Sequence, residues 1–311
     1  MNNQKIEQLV KFAQEQEKNF AYLDAAKSYK NIAQTFFQED KIQYILYLNL
    51  SGINYKKSGL YDEAIEIFEE IEQINQKLGL NDINRAHNLN NLALIYNIKN
   101  QTVKANSLYD QALIIYKNHL SSDETDNNIA NVLNNLAVLK DKEGDYIQAE
   151  NLYIQALDIS TQFLGENHVD TLTTLNNLGL VYFKNGKFIE AEQALNTVLQ
   201  KRQKFLGLNH PDTSVSLNNI ALIYYKNHQY DKAEKFLKIS LNITANIFGA
   251  NHVETAVTMA NLAKMIDKQN KYTQAKELYE EAIDILKKTL GEEHYETIET
   301  IKDYKNIANI N

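Results

Sequence analysis

Four histidines recur at a constant spacing, and imidazole is the commonest metal ligand in proteins. They are His168, His210, His252 and His294, each 42 residues after the one before. A zinc ion needs its ligands ~2 Å from one centre, whereas equivalent positions of packed helical units lie on the order of 10 Å apart. We therefore expect no metal site and assign these histidines to loops and helix N-caps.

The other polar residues give no support for catalysis. The sequence contains no cysteine, which excludes thiolate chemistry, disulfides and cysteine-ligated zinc. The glycine-rich phosphate-binding patterns, the HExxH zinc pattern and the GxSxG nucleophile pattern are absent from it. Adjacent carboxylates such as Glu69 and Glu70 are typical of solvated helix faces. The sequence predicts a protein that is not an enzyme and uses no cofactor.

Two rows of polar residues suit peptide binding. In each, the residues occupy equivalent positions around a small residue such as Gly179, the asparagines two before it and the lysines five after. The rows are Asn91, Asn135, Asn177, Asn219 and Asn261, and Lys142, Lys184, Lys226 and Lys268. Seven residues turn a helix almost twice, so both rows project from one face. A carboxamide matches a peptide group, and lysine offers charge to a carboxylate; lysine in a last helical turn also complements the helix dipole without any ligand.

The rows recur because the sequence itself repeats. The segment Leu164–Thr171, which reads LGENHVDT, returns in related form at 206–213, 248–255 and 290–297. Within each unit a second small residue follows the first by twelve positions, and it is alanine in all seven units: Ala25, Ala64, Ala105, Ala149, Ala191, Ala233 and Ala275. Small residues allow close helix approach, so each unit is predicted to be two antiparallel helices that bury an apolar face on the next pair.

These motifs resemble the tetratricopeptide repeat in its 42-residue form, as found in kinesin light chains. The resemblance implies an all-α, right-handed superhelical solenoid of about seven helix pairs plus a C-terminal capping helix. Residues 1–311 would then form a single domain, with shorter generic repeats at 1–81, kinesin-light-chain-like repeats at 86–290 and the cap at 295–307. In this family the asparagine and lysine positions line a concave groove that holds peptides.

Composition limits the partners. The formal net charge is −8, which disfavours nucleic acid and anionic membranes as general partners. No apolar stretch approaches the ~18 residues of a membrane span, and we expect a cytoplasmic protein.

We expect a protein-interaction scaffold that binds a peptide or protein segment in its groove, with an acidic segment as the preference to test. Two alternatives remain open. One is a regulatory protein that senses a short peptide, and the other is a structural scaffold that self-associates.

Overall fold

The computed structural model describes residues 3–119 and 123–308, and this part of the chain folds into fifteen α-helices without a strand. Seven helix pairs followed by one further helix were predicted, and the prediction is confirmed. The chain divides into two compact units, Met1–Asp145 and Tyr146–Asn311, which are described separately. The single-domain prediction concerns their arrangement and stays a prediction.

The first unit contains seven helices. They are α1 Asn3–Lys18, α2 Tyr22–Phe36, α3 Lys41–Lys57, α4 Tyr61–Leu78, α5 Ile83–Ile98, α6 Thr102–Asn118 and α7 Asp123–Glu143. Each helix packs against the next, and the first helices of neighbouring pairs also meet, α3 with α5 and α5 with α7.

The second unit contains eight helices. They are α8 Tyr146–Leu164, α9 Val169–Lys184, α10 Phe188–Phe205, α11 Pro211–Lys226, α12 Tyr230–Phe248, α13 Val253–Asp267, α14 Tyr272–Leu290 and α15 Tyr295–Ala308. Here too consecutive helices pack, and α9, α11, α13 and α15 form a series in which each contacts the next.

The small residues allow the helices of a pair to approach closely. All seven repeated alanines are fully buried. A Cβ atom added at Gly179 would lie 2.9 Å from Cγ of Leu195 on α10, and one at Gly52 would lie 2.7 Å from the Phe68 ring. The predicted role of the small positions is confirmed.

The histidine-containing loops are built for capping. His168, His210, His252 and His294 each accept, through Nδ1, a hydrogen bond from the backbone N–H two residues later, at 3.1–3.3 Å. This satisfies one of the donors that a helix start leaves open.

The glycines of these loops adopt a conformation that is more restricted than the left-handed helical one. Gly249 and Gly291 combine φ of 94° and 90° with ψ of 160° and 166°, a region that is essentially confined to glycine. The carbonyl groups of both accept hydrogen bonds from buried threonines of the next helix, Thr255 and Thr297, at 2.8 Å. These bonds close the loop. The histidine and the threonine that recur in each loop therefore both have a structural role.

The turn inside each helix pair also requires a left-handed residue. It stands seven positions after the first small residue, with φ between 57° and 80°, at Phe20, Gly59, Asn100, Gly144, Gly186, His228 and Asn270. Three of the seven are glycine, which adopts this conformation at least cost.

Candidate peptide-binding face

The predicted asparagines and lysines lie on the side of the first helices that faces away from the small positions. Asn91, Asn135, Asn177 and Asn219 are half-buried and Asn261 is exposed. Lys142, Lys184, Lys226 and Lys268 are all exposed. We call this surface of α9, α11 and α13, which carries Asn177, Asn219, Asn261, Lys184, Lys226 and Lys268, the asparagine–lysine face.

In the first unit, the corresponding residues bond to side chains of the neighbouring first helix. Asn91 Oδ1 accepts from Lys56 Nζ at 2.7 Å, and burial lowers the pKa of Lys56. Asn135 Nδ2 donates to Asn90 Oδ1 at 3.2 Å, and Lys142 Nζ donates to Asn97 Oδ1 at 3.1 Å. Part of the hydrogen-bonding capacity of this row therefore connects α3, α5 and α7.

In the second unit, a similar hydrogen bond between two side-chain amides joins two helices. Asn219 Nδ2 donates to Asn176 Oδ1 at 2.9 Å, and Asn176 Nδ2 lies 3.5 Å from Asn177 Oδ1. The first of these hydrogen bonds connects α11 to α9, and the second lies within α9. A carboxamide can donate two hydrogen bonds and accept two, so each retains capacity for a ligand.

The lysines of this face lie in different surroundings. Lys268 Nζ lies 3.3 Å from Asp267; burial would lower the pKa of Lys268, but the hydrogen bond and charge of Asp267 raise it overall. For Lys226 no hydrogen bond or ion pair is present within the described ranges. Leu222, four residues before Lys226, is 37% exposed, which adds apolar surface between the cations.

The row ends at the C-terminal helix. Asp303 on α15 stands 42 residues after Asn261, in the equivalent position, and accepts a hydrogen bond from Lys264 Nζ at 2.9 Å. An acidic residue at the next position of the row thus already binds a lysine of α13.

The sequence reasoning missed a buried cation beside this face. Arg202 on α10 is 3% exposed. In the described part of the chain its guanidinium donates to neutral oxygens, including Ser216 Oγ at 3.0 Å and Thr173 Oγ1 at 3.2 Å. Thr173 precedes Asn177 by one helical turn. Burial lowers the pKa of Arg202, while the charge of Asp212 opposes this.

A comparison of repeats could have found Arg202. The equivalent residues of the neighbouring units are Ser160 and Thr244, both small and buried. A charged residue at a repeated core position is the signal, because buried charge is costly unless it is hydrogen-bonded.

The described helices carry neither a metal-binding cluster nor a membrane span. Among residues 3–119 and 123–308, no three histidine, aspartate or glutamate side chains gather closely enough to hold a metal ion. No helix in the same ranges has the length and apolar character of a membrane span.

Solved structures with related folds include a putative kinesin light chain. BtubC (BKLC) from P. vanneervenii is 22% identical with a TM-score of 0.63, and the match covers 74% of this chain and 92% of that one. A putative kinesin light chain with nearly identical repeats from Podosopora anserina is 25% identical with a TM-score of 0.55, covering 66% and 97%.

A third similar structure is that of NprR with its cognate peptide NprX. It is 15% identical with a TM-score of 0.61, covering 100% of this chain and 88% of NprR; the apo protein, from B. thuringiensis, is described as a quorum sensor. A search among curated proteins finds no match.

The family comparison agrees with the repeat period. The model of the tetratricopeptide repeat matches residues 42–118, 128–204, 171–238 and 212–288, which together span most of the sequence. The chain therefore belongs to the tetratricopeptide repeat family.

Proposed function

We propose that this protein is a non-enzymatic, cytoplasmic interaction scaffold whose asparagine–lysine face binds an acidic peptide or protein segment. The observation that carries the proposal is the recurrence of one exposed lysine and one amide on each of three successive first helices. Lys184, Lys226 and Lys268 provide the charge, and Asn177, Asn219 and Asn261 provide the amides.

The chemistry of the face suits an extended acidic ligand. Lysine donates to carboxylates as a flexible point charge, and carboxamides both donate to and accept from a peptide backbone. Exposed charge pairs contribute roughly 0.2–1 kcal/mol each. Several of them, spaced by the repeat, favour a ligand that lies along the face.

Selection from random peptides tests the proposal and needs no identified partner. Peptides displayed on phage are selected against the full chain and then rescreened against Lys184→Glu/Lys226→Glu. The control variant, Lys235→Glu/Lys276→Glu, reverses the charge of two exposed lysines on α12 and α14. It changes the net charge by the same amount as Lys184→Glu/Lys226→Glu.

We expect the selected peptides to be enriched in aspartate and glutamate. Their binding should be lost in the Lys184/Lys226 variant and kept in the Lys235/Lys276 variant. Peptides without acidic enrichment, or equal losses in both variants, would contradict the proposal.

A peptide-sensing regulator is the second candidate. It is supported by the fold similarity to NprR, which is described in complex with its cognate peptide. If sensing is the function, binding of a selected peptide should change the radius of gyration measured by small-angle scattering. A scaffold without sensing should bind with the radius unchanged.

A further inference from the structure

A separate pocket lies in the first unit, outside both repeated rows as the sequence defines them. It has a volume of about 240 Å³ and lies between α3, the end of α4 and the start of α5. This is less than the roughly 300–1,000 Å³ of pockets for drug-sized ligands. The pocket therefore suits a single side chain or a small molecule.

The walls of the pocket are aliphatic and partly open to solvent. Ile42 and Leu46 of α3 are 58% and 47% exposed, while Ile71 of α4 is buried at the other side. Large aliphatic side chains exposed around a hollow favour an apolar ligand body, because its burial removes apolar surface from water.

The polar groups of the pocket have unused acceptors. Asn49 and Asn88 line it, and the Oδ1 atom of each is buried without a hydrogen-bond partner in the described part of the chain. Asn88 is fully buried, and its Nδ2 already donates to the backbone carbonyl of Phe68 at 3.0 Å. A buried acceptor without a donor destabilises the fold, so a ligand that supplies N–H groups is favoured.

The charge at the pocket is negative. Among the described residues that line it, only Asp82 is charged, and one of its carboxylate oxygens accepts from the backbone N–H of Arg85. The nearby Arg85 guanidinium is paired with Glu72 at 2.7 Å. The local net charge is therefore negative.

We infer that this pocket binds an aliphatic ammonium group. An ammonium has three donors and no acceptor, so it suits a pocket whose polar groups are unpaired amide oxygens and a carboxylate, and the aliphatic walls suit the chain that carries it. The group can belong to a lysine side chain or to the amino terminus of a peptide. The inference concerns the first unit and does not depend on the asparagine–lysine face.

Saturation-transfer NMR on the full chain tests the chemistry with butylammonium as the probe. Butyrate and butanol, which have the same aliphatic length, are the controls for charge and for apolar contact. We expect saturable binding of butylammonium alone. Equal binding of butanol or butyrate, or no saturable binding of butylammonium, would overturn the inference.

Two charge variants locate the binding. Asp82→Asn preserves the N-cap of α5, because asparagine caps as well as aspartate, and removes the charge; we expect an at least threefold loss of affinity for butylammonium. Asp110→Asn removes an exposed carboxylate of α6 and should change nothing. Unchanged affinity in Asp82→Asn, or the same loss in Asp110→Asn, would overturn the assignment to this pocket.

Two further probes identify the source of the group. Nα-acetyl-lysine amide presents only a side-chain ammonium, and leucinamide presents only an α-ammonium beside an aliphatic side chain. Binding of the first supports a lysine ligand, and binding of the second supports a peptide amino terminus. If neither binds while butylammonium does, a peptide source is wrong.

Discussion

At the scale of single residues, the turn inside each helix pair depends on backbone conformation more than on side-chain contacts. Gly186 has φ of 78°, and a Cβ atom added there would meet no atom within 4 Å. Asn100 and Asn270 occupy the same position in other units with φ of 57° and 61°. Five of the seven residues at this position are glycine or asparagine, which accept the left-handed region.

Gly186→Ala should lower the free energy of unfolding by about 1 kcal/mol, because the open space leaves only the backbone penalty of an L-residue. Gly186→Asn should cost less, since asparagine adopts this conformation elsewhere in the chain. Denaturant unfolding of both variants measures the difference. Equal costs for alanine and asparagine would show that conformation is not the selecting property.

The sequence predicted the residues of the rows but not their partners. The positions of Asn177 and Lys184 in their helix follow from the repeat, so the sequence predicts that they share one face of it. The bond from Asn219 to Asn176 depends on how far apart α9 and α11 lie, which the repeat period does not specify. The lack of a hydrogen-bond donor near Oδ1 of Asn49 and Asn88 in the described residues also depends on the three-dimensional packing, which the repeat period does not specify.

At the scale of elements, consecutive repeats are joined by polar contacts as well as by apolar packing. Glu234 on α12 accepts from Lys238 at 2.6 Å, from Gln269 at 2.7 Å and from Lys271 at 3.3 Å. Burial alone would raise the pKa of Glu234, but these hydrogen bonds and charges lower it from 4.5 to about 2. The carboxylate thus links α12 to the turn between α13 and α14.

Glu234→Gln should destabilise the protein most near neutral pH. A carboxylate whose pKa is lower in the folded than in the unfolded protein stabilises the fold. This stabilisation is fully present above the pKa of the unfolded state, 4.5, and is lost as the pH falls towards the folded pKa of about 2. The difference between wild type and variant, measured by denaturant unfolding, should therefore shrink between pH 6 and pH 3.

Glu281→Gln, on an exposed position of α14, is the control and should show no such trend. A difference between wild type and Glu234→Gln that is independent of pH would contradict the role assigned to the carboxylate.

The helices themselves were the most predictable feature. The 42-residue period and the repeated small residues indicate where the helix pairs lie, and the helix expected at 295–307 is α15, Tyr295–Ala308. The loop glycines were less predictable, because the residue type indicates a positive φ but does not distinguish between values of ψ. Gly249 and Gly291 differ from the left-handed helical form mainly in ψ, which is 160° and 166°.

At the scale of the whole molecule, α15 covers the last helix pair. Ile307 is 5% exposed and lies in one apolar cluster with Met265 and Tyr279. In repeat proteins each pair buries its face only on its neighbours, so terminal elements contribute to solubility and stability.

Deletion of residues 295–311 should lower the melting temperature, because it exposes this cluster and leaves Lys264 without Asp303. Differential scanning calorimetry of the full and truncated chains makes the comparison. A truncated chain that melts at the same temperature and stays as soluble would show that α15 is not a cap.

The most direct test of the central claim is the affinity of one selected acidic peptide at low and high salt, measured alongside melting temperature. The wild type should lose affinity as salt rises, because salt screens exposed charges. At low salt, Lys184→Glu/Lys226→Glu should bind at least several-fold more weakly, whereas Lys235→Glu/Lys276→Glu should bind like wild type, with all three melting alike. Unchanged affinity of the Lys184/Lys226 variant, with only a lowered melting temperature, would show that these lysines cap helices and do not bind the peptide.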